Sequence, residues 1–599
     1  MRVAENSNTG DTAATLAPSP VARWLVPVFL AIYILQCAWF IRSQSFTVDE
    51  SDHLIAGLDA WHFGEFERWH EHPPLARLWF TLPLLAVNTQ YENRASDAEG
   101  QQPAHGGSRL DEALQTSQIR QGGGEGWHLN EEAIPVSPAP ELWLYPSRAM
   151  NVVLGVALLL SLWLAVRRLF SESAATFALA LGALSPELVA HFSLATTDGA
   201  AALFIFLSVV QFLRWWQRPS RGQTALLAVT LGATLLAKLN TMPMVLLALG
   251  LALVLKPGHA ETPSLGLKGL ILWDPRSWNW RTAAGMAAGA FFLVWAGYFF
   301  HASRVVFDPG VVTLHFAGYT RLLTYPMPVA RHFQLFIPAC EYLTGLGMVF
   351  VHNMDGHRSF FLGQVSSTGG WKLYFPVAVC LKWPLIILGL ALAGVALLLW
   401  QRPWRKELLL MSLFPAAFFL MAVFGRINIG VRHVLPVYPF LLVYAAAAAE
   451  AMWKNRRWRW VLALLLCLQA ADTLRYAPGY LSYFNAFVNP SRSYELLSDS
   501  NLDWGQGLVA LREYQAKHPG ETLHLAYFGV VDPAWYGIRY SPLPEGERVT
   551  GTVVVSATHL SGQLLKDPAS YHWLLAYKRT CILDHSVFVF SVPESLPSP

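Results

Sequence analysis

Long apolar runs constrain this chain most, because about 20 apolar residues suffice to cross the hydrocarbon core of a bilayer as a helix. Of the 599 residues, 54% are hydrophobic and 14% are charged, whereas soluble domains carry about 25% charged residues. The sequence therefore predicts a polytopic α-helical membrane protein. Its eleven candidate spans are 24–41, 146–166, 174–193, 199–216, 224–238, 242–255, 282–300, 374–400, 407–424, 434–453 and 458–474.

Basic residues predict the orientation of these spans, since cytoplasmic loops carry an excess of Lys and Arg. With eleven spans and a cytoplasmic tail over 1–23, every basic cluster falls on the cytoplasmic side. No cleavage site follows the first span, which we interpret as a retained signal anchor. The basic clusters lie within 167–168, 214–221, 256–281, 402–406 and 454–459.

This orientation places two long loops, 42–145 and 301–373, and the segment 475–599 on the outer face. Within the first loop, 89–141 is polar and Gly-rich, and we expect it to be flexible. The preceding run "PPLARLWFTLPLLAV" is too short to span and predicts a Pro-initiated interfacial helix. The transmembrane part is thus 24–474.

The last segment, 475–599, has a different pattern and predicts a small extracytoplasmic α/β domain. The runs "TLHLAYFGV", "VTGTVVVSAT", "HWLLAY" and "HSVFVFSV" are typical of strands, and "WGQGLVALREYQAKHPG" is typical of a helix that ends at Gly520. The five cysteines lack metal-site spacing, and no Gly-rich phosphate loop is present. The net charge is only +3, and we expect no nucleic-acid partner.

Acidic residues follow the first span directly, in "FTVDESDH". Thr47 and Glu50 have the spacing of a capping box, and acids favour a helix N-terminus, so capping explains them well. Asp49 would then remain free, one helical turn from His53, and both side chains could face one cavity at the outer surface. Asp49 and Glu50 are therefore candidate catalytic residues.

A second polar group, His70, Glu71 and His72, precedes Pro73 and Pro74. These side chains are either solvated in an interfacial loop or form a polar wall facing Asp49. Histidine and carboxylate are suitable ligands for a divalent metal, although no spacing here is diagnostic. The candidate metal ligands are Asp49, His53, His70 and Glu71.

Further charged residues lie at the predicted outer ends of spans. Asp198 in "SLATTDGA" either caps the next helix or is functional, the default for an ionisable residue at this depth. Lys238, Arg426, Arg432 and His433 are cations where the positive-inside rule does not predict them. They either reach lipid phosphates or bind a substrate phosphate, which we favour.

The run "SDSNLDWGQGL" opens the C-terminal helix. Ser500, Asn501 and Asp503 are ordinary capping residues. Trp504 beside Asp503 could also cover a substrate, but capping is the stronger interpretation.

Several of these motifs together resemble membrane glycosyltransferases of the GT-C fold. They are "TVDE", "EHPPLARL", "SLATTDGA", "NIGVRHVLPVYPF" and "SDSNLDWGQ". The order of the acids, the Pro-Pro motif and the basic motif resembles the protein O-mannosyltransferase and aminoarabinose-transferase superfamily, glycosyltransferase family 39 and its bacterial relatives. The resemblance covers most of 24–510, and it implies a bacterial inner-membrane protein with a periplasmic C-terminal domain.

This resemblance implies inverting transfer of a sugar from a polyprenyl-phosphate donor to a lipid, glycan or protein acceptor. Asp49 would be the general base with Glu50 beside it, and Asp198 the second acid. Arg426 and Arg432 would hold the polyprenyl phosphate. At Glu71 and His72 the chain is closer to O-mannosyltransferases, which carry His-Pro-Pro, than to aminoarabinose transferases, which have Lys at the position of His72.

Two other classes of membrane protein fit part of the pattern. A transporter also places acids and arginines within a helix bundle, although it more typically shows internal repeats, and none is clear here. A non-catalytic scaffold or sensor with an outer α/β domain would not require Asp49. No cofactor is predicted with certainty beyond the candidate divalent metal.

Overall fold

The computed structural model describes residues 20–66, 71–87, 140–258, 274–315, 322–326, 331–400 and 405–593. The insertion predicted to be flexible lies outside these ranges up to residue 139. His70, a candidate metal ligand, also lies outside the described residues.

The described chain is mostly helical, as predicted. Its helices in the first half are α1 Pro20–Ser43, α2 Val48–Phe63, α3 Pro74–Thr81, α4 Leu84–Val87, α5 Glu141–Leu169, α6 Glu172–Ala183, α7 Pro186–Phe192, α8 Thr197–Gln217, α9 Arg221–Ala237, α10 Met242–Val254 and α11 Trp280–Gly297. Those in the second half are α12 Cys340–Asp355, α13 Tyr374–Lys382, α14 Leu385–Trp400, α15 Lys406–Phe424, α16 Tyr438–Lys454, α17 Arg456–Arg475, α18 Leu508–Lys517 and α19 Ala557–Leu560.

All eleven predicted spans fall on helices, but the count of eleven is not confirmed. Five helices among the described residues are long and apolar enough to cross a membrane, or up to seven if two bent pairs each count as one span. The chain is therefore an integral membrane protein. Helices α9 and α10 have 17 and 13 residues, and at 1.5 Å per residue each is shorter than the roughly 30 Å hydrocarbon core.

Proline explains the two bent pairs, because it lacks the N–H that would continue the helical hydrogen bonds. Helices α6 and α7 meet at 64° just before Pro186, where the Ser185 hydroxyl accepts a hydrogen bond from the Leu188 N–H at 3.3 Å. Helices α13 and α14 meet at 114° around Pro384. These breaks end helices inside the bundle, where polar groups can be buried.

The region between α11 and α13 combines two small sheets with helix α12. A four-stranded antiparallel sheet has the order β3-β2-β1-β4, and β5 pairs with β6 in a hairpin. The strands are β1 Ala302–Asp308, β2 Val311–His315, β3 Leu322–Pro326, β4 Phe333–Pro338, β5 Ser359–Phe361 and β6 Gln364–Ser366. Helix α12 therefore begins where this sheet ends.

The C-terminal region forms a five-stranded sheet of order β10-β11-β9-β7-β8, in which β7 is parallel to β8 and β9. Its strands are β7 Leu523–Ala526, β8 Tyr540–Pro542, β9 Gly551–Ser556, β10 Arg579–Leu583 and β11 Val587–Val592. Three of the four predicted strands are thus confirmed. The prediction for "HWLLAY" is wrong: His572–Ala576 is a 3-10 helix, and its turn bonds, including Leu574 N–H to Tyr571 O, give a period near three rather than two.

Alternate side chains of this sheet enter two different cores, as the period of a strand requires. Val553 and Phe588 join the large core that also contains residues of the apolar helices. Val554 and Val589 join a second core with Leu508 of α18 and residues of α2 and α3. The C-terminal sheet is therefore packed directly on the helical part, beside the first turn of α2.

Candidate active site

The first turn of α2 follows the predicted capping box. The Glu50 carboxylate accepts hydrogen bonds from the Thr47 N–H and the Thr47 hydroxyl, each at 3.0 Å. This arrangement satisfies an N–H that the helix itself leaves unpaired. The capping interpretation of Thr47 and Glu50 is confirmed.

Glu50 also forms a fully buried ion pair with Arg148 of α5. The guanidinium donates to the two carboxylate oxygens at 2.8 and 2.7 Å, and both side chains are 0% exposed. The Ala195 N–H adds a further donor at 2.8 Å. Such bidentate pairing offsets the desolvation of a buried carboxylate, so Glu50 holds α2, α5 and the start of α8 together.

Asp49 has a different partner and a different exposure. Its Oδ2 lies 2.7 Å from Nη1 of Arg432, and its side chain is 26% exposed. The same Nη1 lies 3.5 Å from Oδ2 of Asp198, whose Oδ1 accepts from Nζ of Lys238 at 2.5 Å. We call these four residues, Asp49, Asp198, Lys238 and Arg432, the ion cluster.

Helix ends position every member of the ion cluster. Asp49 and Asp198 occupy the first turns of α2 and α8, where the helix dipole favours a negative charge. Lys238 is the extended residue that ends α9, and Arg432 lies in the 3-10 segment Val431–Val437 that precedes α16. Four segments distant in sequence therefore bring two acids and two cations to one place.

Residues of "SDSNLDW" support Arg432 from the C-terminal side. The Arg432 guanidinium carbon lies 3.9 Å from the centre of the Trp504 ring, and Arg432 Nε donates to the Ser500 hydroxyl at 3.0 Å. The Trp504 carbonyl in turn accepts from the Val48 N–H at 3.0 Å, next to Asp49. The capping interpretation favoured for this run does not predict the contacts of Ser500 and Trp504 with Arg432. An aromatic residue inside a polar capping run was the available signal.

Two histidines, the buried His53 and the partly buried His72, lie beside the ion cluster. The rings of His53 and His72 meet edge to face with centres 4.8 Å apart, and His72 Nδ1 lies 3.5 Å from the Thr197 hydroxyl. Burial, followed by nearby positive groups, holds the pKa of both imidazoles well below the usual range. The His433 Nε2 is also buried, without a hydrogen-bond partner among the described residues. These neutral rings can serve as hydrogen-bond donors to a ligand.

Glu71 lies in a separate chain of polar contacts. Its Oε2 is 3.2 Å from Nδ1 of His352 on α12, and Nε2 of His352 is 3.1 Å from Nδ1 of His357. The hydrogen bond to Glu71 raises the pKa of His352, whereas burial and the neighbouring His352 lower the pKa of His357 to about 4. Sequence analysis missed both histidines, and the pair in "HNMDGH" was the only local signal.

Arg426, a predicted phosphate ligand, contacts α12 rather than the ion cluster. Its Nη1 donates to the Met354 carbonyl, and its backbone N–H donates to the Asn353 side chain at 3.0 Å. Among the described residues, no group of three or more His, Cys, Asp or Glu side chains is arranged to hold a metal ion. Of the candidate metal ligands, Asp49 pairs with Arg432 and Glu71 with His352.

Comparison with known proteins agrees with the motifs. The family model of dolichyl-phosphate-mannose-protein mannosyltransferases matches residues 145–273, which contain Asp198, Lys238 and Arg148. This match confirms the predicted resemblance over that segment. Compared by sequence with curated proteins, the chain has no match.

Solved structures similar to this chain include three membrane glycosyltransferases. Apo ArnT of Cupriavidus metallidurans has a TM-score of 0.45 and 12% identity, covering 95% of this chain and 98% of that chain. Archaeal oligosaccharyltransferase AglB of Archaeoglobus fulgidus, in complex with an inhibitory peptide and a dolichol-phosphate, has 0.45 and 13%, covering 94% and 73%. The S. cerevisiae protein O-mannosyltransferase Pmt1-Pmt2 complex bound to the sugar donor has 0.44 and 10%, covering 77% and 90%.

Proposed function

We propose that this protein transfers a sugar, with inversion, from a polyprenyl-phosphate donor to a hydroxyl acceptor at the outer membrane face. The observation that carries the proposal is the ion cluster: a partly exposed carboxylate, Asp49, held 2.7 Å from a buried guanidinium at helix ends. The family match over 145–273, which includes half of this cluster, supports a donor of the dolichyl-phosphate-sugar class.

In the proposed reaction Asp49 removes the proton of the acceptor hydroxyl as that oxygen attacks the anomeric carbon. The bond between this carbon and the phosphate oxygen breaks on the opposite face, and polyprenyl phosphate leaves with the bonding electrons. Arg432 and Lys238 stabilise its negative charge, and His72 and His433 donate hydrogen bonds. Inversion follows because base and leaving group flank one carbon, as in inverting glycosidases.

Asp198 is a positioning residue in this mechanism. It contacts both cations, at 2.5 Å from Lys238 and 3.5 Å from Arg432. Without a negative charge between them, these two buried cations would repel each other. Asp198 therefore keeps them close together before a phosphate binds. The bound phosphate then lies beside Lys238 and Arg432, and Arg432 exchanges its contact with Asp49 for one with the phosphate.

We also propose the arrangement that this reaction requires. About eleven spans of a GT-C fold would place the N-terminus in the cytoplasm and 475–599 outside, in the periplasm of a bacterial inner membrane. The distribution of basic residues supports this orientation. A donor that carries its own lipid anchor would then reach the ion cluster from the outer leaflet.

The test is sugar transfer by the purified protein in lipid, offered a panel of radiolabelled polyprenyl-phosphate sugars. Release of polyprenyl phosphate gives a readout that does not depend on the acceptor. Asp49→Asn should lower turnover by about 10²–10⁴-fold, the contribution of a general base, while donor binding persists. Glu513→Gln, an exposed acid on α18, should keep wild-type turnover. Full activity of Asp49→Asn would contradict the assignment of the base.

A further inference from the structure

Helix α12 is amphipathic, but its apolar side faces outward and its polar side faces the protein, the reverse of a helix on the surface of a soluble protein. Its outward stripe is apolar and exposed, with Phe350 68% and Met354 57% exposed, and Leu343, Met348 and Val351 alongside. Of its polar residues, Glu341 is buried 3.3 Å from His301, and His352 and Asn353 contact Glu71 and Arg426 on the inner side. Only Asp355, at the C-terminal end of the helix, is an exposed acid. A helix whose polar side faces the protein and whose apolar side faces outward is suited to an apolar surrounding, not to water.

The inner side of α12 is firmly packed. Tyr342 is buried in a small core with Leu236, Leu239 and Tyr298, at the ends of α9 and α11. His352 contacts Glu71, and Asn353 holds the backbone of Arg426. The register of the helix is therefore fixed from within, so its apolar stripe cannot rotate inward.

The apolar exposure continues from α12 toward the bundle. Phe292 on α11, 58% exposed, contacts Phe300 at a ring distance of 5.7 Å, and Phe300 is itself 51% exposed. Phe336 on β4, directly before α12, is also exposed. Since α11 coincides with the predicted span 282–300, the exposed surface of α12 continues into a surface that we expect to face lipid.

We propose that the outward stripe of α12 docks into the outer leaflet of the bilayer, with acyl chains covering Leu343, Phe350, Val351 and Met354. The 16-residue helix carries no Lys or Arg, so apolar burial rather than attraction to lipid phosphate holds it there. With the outer side of α12 held in the bilayer, the inner side keeps His352 and Asn353 next to the candidate active site. This docking goes beyond the proposed reaction and does not depend on it.

Site-directed spin labelling tests the proposal on the full chain in vesicles of phosphatidylcholine. Cys380, Cys467 and Cys581, the three free cysteines that are not buried, are first replaced by Ser. A nitroxide is then attached at Phe350→Cys or Met354→Cys, with Phe292→Cys as the lipid reference and Glu513→Cys as the water reference. Collision rates are measured with oxygen, which concentrates in lipid, and with a water-soluble nickel chelate.

We expect the labels at 350 and 354 to resemble the label at 292, with oxygen collisions exceeding nickel collisions at least several-fold. Nickel accessibility equal to that at 513 would overturn the proposal, because the stripe would face water. Low collision rates with both reagents would also overturn it, because a second copy or another protein would then cover the stripe. Two label positions guard against one variant that fails to fold, and no readout requires sugar transfer.

Discussion

Asp49 and Glu50 are adjacent acids in the same helical turn, and the structure gives them opposite surroundings. Glu50 is completely buried, and Arg148, the Ala195 N–H and Thr47 all donate to its oxygens. Asp49 is partly exposed and shares one guanidinium nitrogen of Arg432 with Asp198. Residue type and position in the chain are nearly the same, so the difference comes entirely from the partners that the fold supplies.

The difference in surroundings suits Glu50 to stabilising the fold and Asp49 to contacting a substrate. A buried carboxylate with saturated hydrogen bonds has no free lone pair to offer a substrate, whereas breaking its pair leaves an uncompensated charge. An exposed carboxylate with one shared cation can exchange partners when a ligand arrives. The comparison therefore supports an anchoring role for Glu50 and the proposed reactivity of Asp49, and each role can be tested separately.

The largest effect on stability should come from Glu50→Gln. It removes the charge opposite buried Arg148, and breaking such a pair costs about 3–5 kcal/mol. We expect a marked fall in the thermal unfolding midpoint of the purified protein in detergent and in its yield. Asp49→Asn is the matched control one residue away and should shift the midpoint little. Equal destabilisation by the two changes would remove the distinction between the two acids.

A smaller effect should follow from Trp504→Leu, which leaves Asp49 and Arg432 in place but removes the ring beneath the guanidinium. A desolvated cation–π contact contributes about 2 kcal/mol. We expect donor KM to rise by roughly ten- to thirty-fold with kcat less affected, because Arg432 is then free to leave the phosphate site. Trp504→Phe, which keeps a ring, should recover part of the loss. An unchanged KM in Trp504→Leu would show that the ring does not position Arg432.

Sequence patterns predicted the local features of the molecule well. Apolar runs located the helices, alternation located β7, β9 and β11, and the capping box fixed the start of α2, because each depends on neighbours within a few residues. Span number was less predictable, since bent pairs and short helices depend on packing rather than on composition.

Long-range partners of the candidate site could not be predicted. Asp49, Asp198, Lys238 and Arg432 were selected individually, from charges at the ends of apolar runs, but nothing local shows that Arg432 reaches both acids. Arg148 was overlooked because a single Arg near the start of an apolar run is ordinary, and its partner Glu50 is 98 residues away. His352 and Glu71 are 281 residues apart, one on α12 and the other in the turn before α3, and no local pattern connects them.

The smallest effect on stability should come from the Glu71–His352 contact, which is a third kind of carboxylate pairing. Its positive partner is a histidine, which carries a charge only when it is protonated. Arg432 stays charged at all working pH values, whereas His352 titrates. The hydrogen bond to Glu71 raises the folded-state pKa of His352 above the ordinary 6.5. Its stabilisation is therefore fully present below about pH 6.5 and is lost as the pH rises through the raised value.

Hydrogen exchange of residues 340–355, corrected for the intrinsic pH dependence, should therefore show protection that declines as the pH rises above about 6.5. His352→Gln should abolish this decline, because the titrating imidazole is then absent. His357→Gln is the control, since burial lowers the pKa of His357 to about 4 and keeps it neutral throughout. If the decline in protection persists in His352→Gln, another group is responsible for the pH dependence. The role of Glu71 would then be that of an anchor, like Glu50, rather than that of an exchangeable partner, like Asp49.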